Sequence, residues 1–262
     1  MNNQNRWQMY DELIRPIPED LFVEDYVAGG HFACLRSGNL CGLAYDTRGS
    51  SRPPMLEGSP VGMRLREAAE LAKSWNMEEA TIGMAAINAF HNDPNRLSEL
   101  GVRLPDLTGA TVEDRKAGNP IGGDMERLRG KKVAMIGHFR HAEQKLSGLA
   151  DLYILERRTS PGDYPDSACE YLLPEMDYIL STAVTLINKT AGRLMELKGE
   201  NGYFTFMGPT TTLSPTLFRY GADSLAGFVV TDPDYVRDVR ARNVKGLFEG
   251  GVMVDLTREE FR

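Results

Sequence analysis

Cysteine, long apolar runs and excess basic charge are all scarce in this chain of 262 residues. There are three cysteines, Cys34, Cys41 and Cys169, an odd number with no CxxC pair. A disulfide scaffold and a structural zinc site are therefore not indicated, and the thiols read as reduced groups of a cytoplasmic protein. No apolar run approaches the ~18 residues needed to cross a bilayer. The opening segment, Met1 to Trp7, has no apolar core of a signal peptide. Lys and Arg number 30 against 37 Asp and Glu, a net charge of −7 with a pI near 5.3. That balance argues against general binding to nucleic acid or anionic membrane. Internal repeats, low-complexity tracts and a GxGxxG fingerprint are absent. A hydrophobic content of 42% with 26% charged residues is that of a globular chain of one large or two modest domains.

The text changes character near its middle. Residues 6–14 carry Trp7, Met9, Tyr10, Leu13 and Ile14 on one helical face, ended by Pro16. Strand-forming runs follow at 21–28, 31–36 and 40–45, punctuated by Gly29-Gly30 and Ser37-Gly38-Asn39. Residues 46–60 read as a loop, and helices are expected over 62–75 and 78–90. The Pro- and Gly-rich stretch 93–122 reads as a connection with short helical turns. Beyond it, short buried strands (132–136, 152–155, 178–180, 203–207, 227–230 and 252–256) alternate with helical segments (141–150, 188–198, 214–220 and 233–243). Such alternation predicts an α/β fold with an open, mostly parallel, doubly wound sheet. The expected division is 1–110 and 111–262. Ligands on such sheets lie beyond the carboxyl ends of the strands, which directs attention to the strand-to-helix loops.

Four of those loops have the residues for chemistry. Gly137-His138-Phe139-Arg140-His141 follows the first buried strand with a single tight-turn glycine, and its bulk disfavours a nicotinamide dinucleotide. Glu156 ends the second strand, where an acid can reach ribose hydroxyls. His138 and His141 are three apart and could share a metal with Glu156, or be a capping and a surface histidine. Asn188 and Thr190 follow the third strand and read equally as helix caps or ligand contacts. Gly208-Pro209-Thr210-Thr211-Thr212 precedes a helix start at Ser214-Pro215 and offers several hydroxyls. Arg237, Arg240, Arg242 and Lys245 have helical spacing and read as a solvated face or a phosphate patch.

Taken together, the runs 82–89 (IGMAAINA), Met135 to Phe139, Glu156, Leu173 to Asp177, Thr182 to Thr190 and Gly208 to Thr210 resemble a known family. It is the bacterial and archaeal heavy-metal chelation domain family, domain of unknown function 364, with an N-terminal part similar to domain of unknown function 4213. The resemblance covers nearly the whole chain. It implies an enolase N-terminal-like α+β domain followed by a Rossmann-like domain, with a cleft between them. It further implies that Asn88 from the first domain and Gly137, His138, Phe139, Glu156, Asn188, Thr190, Gly208, Pro209 and Thr210 from the second line that cleft. The expected ligand is small and polar or anionic: a divalent metal, a metal chelator, or a pterin- or nucleotide-like heterocycle. Phe139 would stack on a ring, Glu156 and Asn88 would take hydrogen bonds, and the Thr210 loop would hold the anionic end. His138, with a free pKa near ~6.5, is the expected acid or base. Two other readings stand beside it: a methyltransferase-like enzyme using S-adenosylmethionine, and a non-catalytic interaction module. Neither nucleic acid nor membrane is an expected partner, and a homo-oligomer is compatible with the sequence.

Overall fold

The computed structural model describes residues 6–48, 52–121, 125–242 and 245–261. The opening Met1 to Asn5, the loop positions 49–51, Gly122 and Asn243, on which readings above touched, lie outside the described residues. The chain forms a mixed α/β structure with a separate three-stranded antiparallel sheet and a mostly parallel seven-stranded sheet.

The N-terminal part begins with helix α1 (Gln8–Ile14), whose Met9, Tyr10, Leu13 and Ile14 are buried, as their helical spacing requires. Strands β1 (Asp25–Val27), β2 (Phe32–Ser37) and β3 (Leu40–Tyr45) make the small sheet in that order. Helix α2 (Leu65–Glu70) runs into a 3-10 turn at Leu71–Lys73, shorter than the expected 62–75. Helix α3 (Met77–His91) is capped by Asn76, whose side-chain oxygen accepts from the amides of Glu78 and Glu79. Helix α4 (Pro94–Glu99) has Asp93 as its cap.

Alternation along the hairpin β2–β3 sorts its side chains between two neighbours. Ala33, Leu35 and Ala44 turn to one face, where Gly42 lets α3 approach so closely that a Cβ there would lie 2.0 Å from the Ala85 carbonyl oxygen. Cys34, Cys41 and Leu43 turn to the other face and join Phe228, Val236 and Met253 of the C-terminal part in a buried cluster. The small sheet is therefore a layer between α3 and the large sheet.

The connection contains short helical turns, α5 (Val112–Arg115) and a 3-10 turn at Met125–Leu128. Then come β4 (Lys132–Ile136), α6 (Arg140–Leu146), β5 (Asp151–Glu156), β6 (Tyr164–Pro165), α7 (Cys169–Leu172), β7 (Tyr178–Thr182), α8 (Val184–Ile187), α9 (Ala191–Glu196), β8 (Tyr203–Met207), α10 (Thr216–Arg219), β9 (Ser224–Val230), α11 (Pro233–Ala241) and β10 (Gly251–Thr257). The large sheet has the order β10-β9-β8-β7-β4-β5-β6, and its neighbours are parallel except the antiparallel pair β9–β10. The six expected strands are present, and the two-residue β6 is added.

One expected helix, over 188–198, is shortened to α9, and the short α8 before it is an addition. Lys189 adopts φ +65°, the left-handed region, so α8 ends and α9 begins around it. The main hydrophobic core is continuous across both parts: Leu13, Met84 and Ile87 belong to the same cluster as Leu186, Phe204 and Leu213.

Candidate functional site

Chain order places β5 and β6 on one side of β4, and β7, β8 and β9 on the other. The sheet thus reverses direction between β4 and β7, and the crevice beyond their carboxyl ends is where open parallel sheets take ligands. Among the connections that leave the sheet at that end are Gly137–Phe139 after β4, Ala183 after β7 and Gly208–Thr212 after β8. The end of β3 meets the same region, because the Tyr45 amide donates to Thr210 Oγ1 at 2.9 Å.

Gly137 has φ +93°, and a Cβ there would lie 3.0 Å from the methyl carbon of Thr182 and 3.5 Å from the Phe139 ring. Only glycine lets the chain turn here against β7. Its amide donates to Leu155 O at 2.9 Å, which ties the turn to β5. Glu156, at the end of β5, accepts from the His138 amide at 3.0 Å and from the Arg157 and Arg158 amides at 2.7 and 3.2 Å. A carboxylate offers roughly four acceptor sites, so about one remains for a ligand hydroxyl.

The half-buried imidazole of His138 is held at both nitrogens. Nε2 lies 2.9 Å from a Glu143 oxygen and Nδ1 lies 3.1 Å from Asp163 Oδ2. That Asp163 oxygen also accepts from the Ser160 amide at 2.7 Å. The hydrogen bond to Glu143 raises the His138 pKa above its ordinary value, desolvation opposes it, and Asp163 adds to the rise. The two neighbouring carboxyl groups thus favour the protonated ring. Sequence reading missed Glu143 and Asp163. Glu143 stands in the first turn of α6, five residues from His138. Asp163 closes the Ser160–Asp163 turn, and no local pattern links it to His138.

The other expected residues fall into separate groups. Asn88 is fully buried and its amide is engaged on every side. Nδ2 donates to Leu43 O and Thr210 O, both at 2.8 Å, and Oδ1 accepts from Thr212 Oγ1 at 2.6 Å. Asn92, one helical turn on, repeats the pattern: Nδ2 donates to Thr211 O and Phe228 O, and Oδ1 accepts from the Leu213 amide at 2.8 Å. The Thr210–Thr212 segment is buried and receives α3, and Gly208 (φ +104°) makes the turn into it. Pro209 is half-buried beside it. The structure therefore brings Asn88 together with Thr210, and His138 with Gly137 and Glu156, and among the described residues no hydrogen bond joins the two sets. Asn92 was legible as the i+4 neighbour of Asn88.

Asn188 and Thr190 form a third group, in which Asn188 Oδ1 accepts from the Thr190 amide and hydroxyl at 3.2 and 2.6 Å. Between them Lys189 reaches the N-terminal part, donating to Ser74 O and lying 5.6 Å from the Trp75 ring centroid. Burial lowers its pKa to about 8. Thr190 also lines a surface depression of about 270 Å³ with Cys169, Arg193 and Leu194.

The basic run divides: Arg242 and Lys245 are exposed beyond α11, as on a solvated face, whereas Arg237 and Arg240 are engaged by the small sheet. Arg240 is buried, donating to Phe32 O and Gly29 O at 3.0 and 2.7 Å, and Arg237 pairs with Asp25 at 2.7 Å. The helix docks on the small sheet.

The crevice residues do not assemble a donor set for a protein-held metal. Among the described residues no three His, Cys, Asp or Glu side chains are placed to hold one ion. His138, His141 and Glu156 do not form such a set, and His141 is exposed. The thiols are buried as well. The bond to Cys34, with burial, holds Cys41 well above the ordinary thiol range, and burial pushes Cys169 up to about 11. No described helix is long and apolar enough to cross a membrane.

Comparison with known proteins follows the same geometry. Residues 119–251 match the DUF364 family and residues 10–91 match DUF4213, both described as "Putative heavy-metal chelation". A crystal structure of a DUF364-family protein from Desulfitobacterium hafniense is 39% identical, with a TM-score of 0.86, covering 97% of this chain and 99% of its own. The chain belongs to the DUF364 family. A further DUF364-family structure, from Pyrococcus horikoshii, shares the fold at 21% identity, with a TM-score of 0.75 over 96% of this chain and 99% of its own. Uncharacterized protein MJ0500 of Methanocaldococcus jannaschii is 26% identical over 187 residues, 66% of this chain and 63% of its own length. The chain therefore aligns with less than two thirds of that relative's length.

Proposed function

We propose that this DUF364 chain binds a small polar ligand, a metal chelate or a pterin-like heterocycle, in the crevice beyond the ends of β4 and β7. The second part is read as Rossmann-like and the first as enolase N-terminal-like. The observation that carries the proposal is the sheet reversal beside the Gly137 turn, with His138 clamped between Glu143 and Asp163 at that point. Phe139 supplies a ring face and His138 a proton. Heavy metal, in this reading, reaches the crevice on the ligand, because the side chains there do not assemble three donors for a bare ion. A nucleoside is less well served, since Glu156 already accepts three backbone amides and cannot take both hydroxyls of a ribose.

Purified protein should be tested by native mass spectrometry and elemental analysis for a co-purifying ligand. Calorimetry with a reduced pterin, a small metal chelate and S-adenosylhomocysteine follows. His138→Gln and Phe139→Ala are expected to weaken binding of the first two about tenfold or more, at one or two lost contacts each worth about 1.4 kcal/mol. Equal binding by both variants, or binding of S-adenosylhomocysteine alone, overturns the reading.

A further inference from the structure

Away from the crevice, on the hairpin face that meets the large sheet, Cys34 and Cys41 bring their sulfur atoms to 3.4 Å. They are diagonal neighbours: Cys34 is in register with Leu43, and Cys41 with Arg36. Both are buried and unoxidised, and their cluster contains Leu43, Phe228, Val236 and Met253. The pair offers two sulfur donors. Two thiols are a poor match for oxygen-seeking ions and too few for zinc, which takes four ligands. Soft ions accept such a set.

We propose that Cys34 and Cys41 form a two-thiolate site for a soft d10 cation of the Cu⁺ class, at the seam between the two sheets. Binding breaks two S–H bonds, forms two S–Cu bonds and releases two protons, with no change of oxidation state. With metal–thiolate bonds of about 2.3 Å a linear unit spans ~4.6 Å, so sulfurs now 3.4 Å apart separate by about 1.2 Å, within reach of side-chain rotation. The bis-thiolate complex carries one negative charge. Arg36 is in register with Cys41 on the same face, its charge already matched by Asp234. Its ion pair with the exposed Asp234, at 2.5 Å, marks the rim nearest the thiols. Metal binding displaces the thiol protons. The site is independent of the crevice ligand.

The test is anaerobic titration of the whole protein with Cu⁺ against a chromophoric Cu⁺ chelator. One equivalent is expected to be held. Cys34→Ser and Cys41→Ser are each expected to weaken retention about 100-fold, because losing one of two ligands abolishes the chelate. Cys169→Ser leaves it unchanged. Native mass spectrometry of the unaltered protein gives a second measurement that needs no variant to fold. The adduct is expected to have lost two protons, and fragmentation is expected to localise copper to residues 34–41. No competition with the chelator, retention by Cys34→Ser, copper found at Cys169, or loss of one proton overturns the proposal. None of these outcomes bears on binding at His138 and Phe139.

Discussion

Asn88 and Asn92 are side chains whose polar atoms are spent within the protein. Replacing Asn88 by Ala strands Leu43 O, Thr210 O and Thr212 Oγ1 in a buried setting. Three lost hydrogen bonds with buried partners are expected to cost about 2–4 kcal/mol in denaturant unfolding. A loss below about 1 kcal/mol would show that the amide does not clamp the seam. Two histidines give opposite pH signatures. His91 is buried, with Nε2 2.8 Å from Leu13 O, and burial lowers its pKa to about 4 from 6.5. The unfolded chain therefore binds the proton first, and stability falls as pH drops from about 6.5 to about 4, by about 3 kcal/mol in all. Urea midpoints across that range should follow this slope, and His91→Gln should flatten it. His138 is the reverse case, with its pKa raised first by Glu143, against desolvation, and then by Asp163. Its contribution is complete below the unfolded value of 6.5 and is lost as pH rises through the higher folded value. An imidazole proton titration by NMR should place His138 above a free histidine, and Glu143→Gln should bring it down.

At the scale of elements, close approach decides what local preference cannot. The run of small residues in α3 reads as a buried helix, and its reason lies in its neighbours. A Cβ at Gly83 would sit 1.9 Å from the Ala72 amide nitrogen, backbone that cannot move aside. Gly83→Ala favours the helix intrinsically yet is expected to destabilise the protein by about 3 kcal/mol or more, through overpacking. A thermal melt checks this, and a variant as stable as the parent would show that α3 and α2 can separate freely. The turn at Lys189 is of the same kind. The sequence over 188–198 suits a helix, but Asn188 and Thr190 bond each other and the lysine crosses to Ser74 and Trp75. Likewise the arginine spacing of α11 was legible, whereas its destination, the carbonyls of Phe32 and Gly29, belongs to a strand over 200 residues earlier.

For the molecule as a whole, the shared core and the asparagine clamps join the two parts into one cooperative unit. Calorimetry is expected to give a single transition with equal calorimetric and van't Hoff enthalpies. Asn92→Ala should lower its midpoint without splitting it, and two resolved transitions in the parent would refute the shared core. Local pattern alone determined the alternation of strand and helix, the parallel sheet, the small antiparallel sheet and the glycine turn at Gly137, because hydrophobic period and turn chemistry act within a few residues. Tertiary structure decided which polar residues face each other. It turned Asn88 and the threonine loop into a seam and gave His138 two carboxylates. It also set Cys34 against Cys41 and hid Arg240, because burial and hydrogen-bond pairing depend on partners far away in the chain.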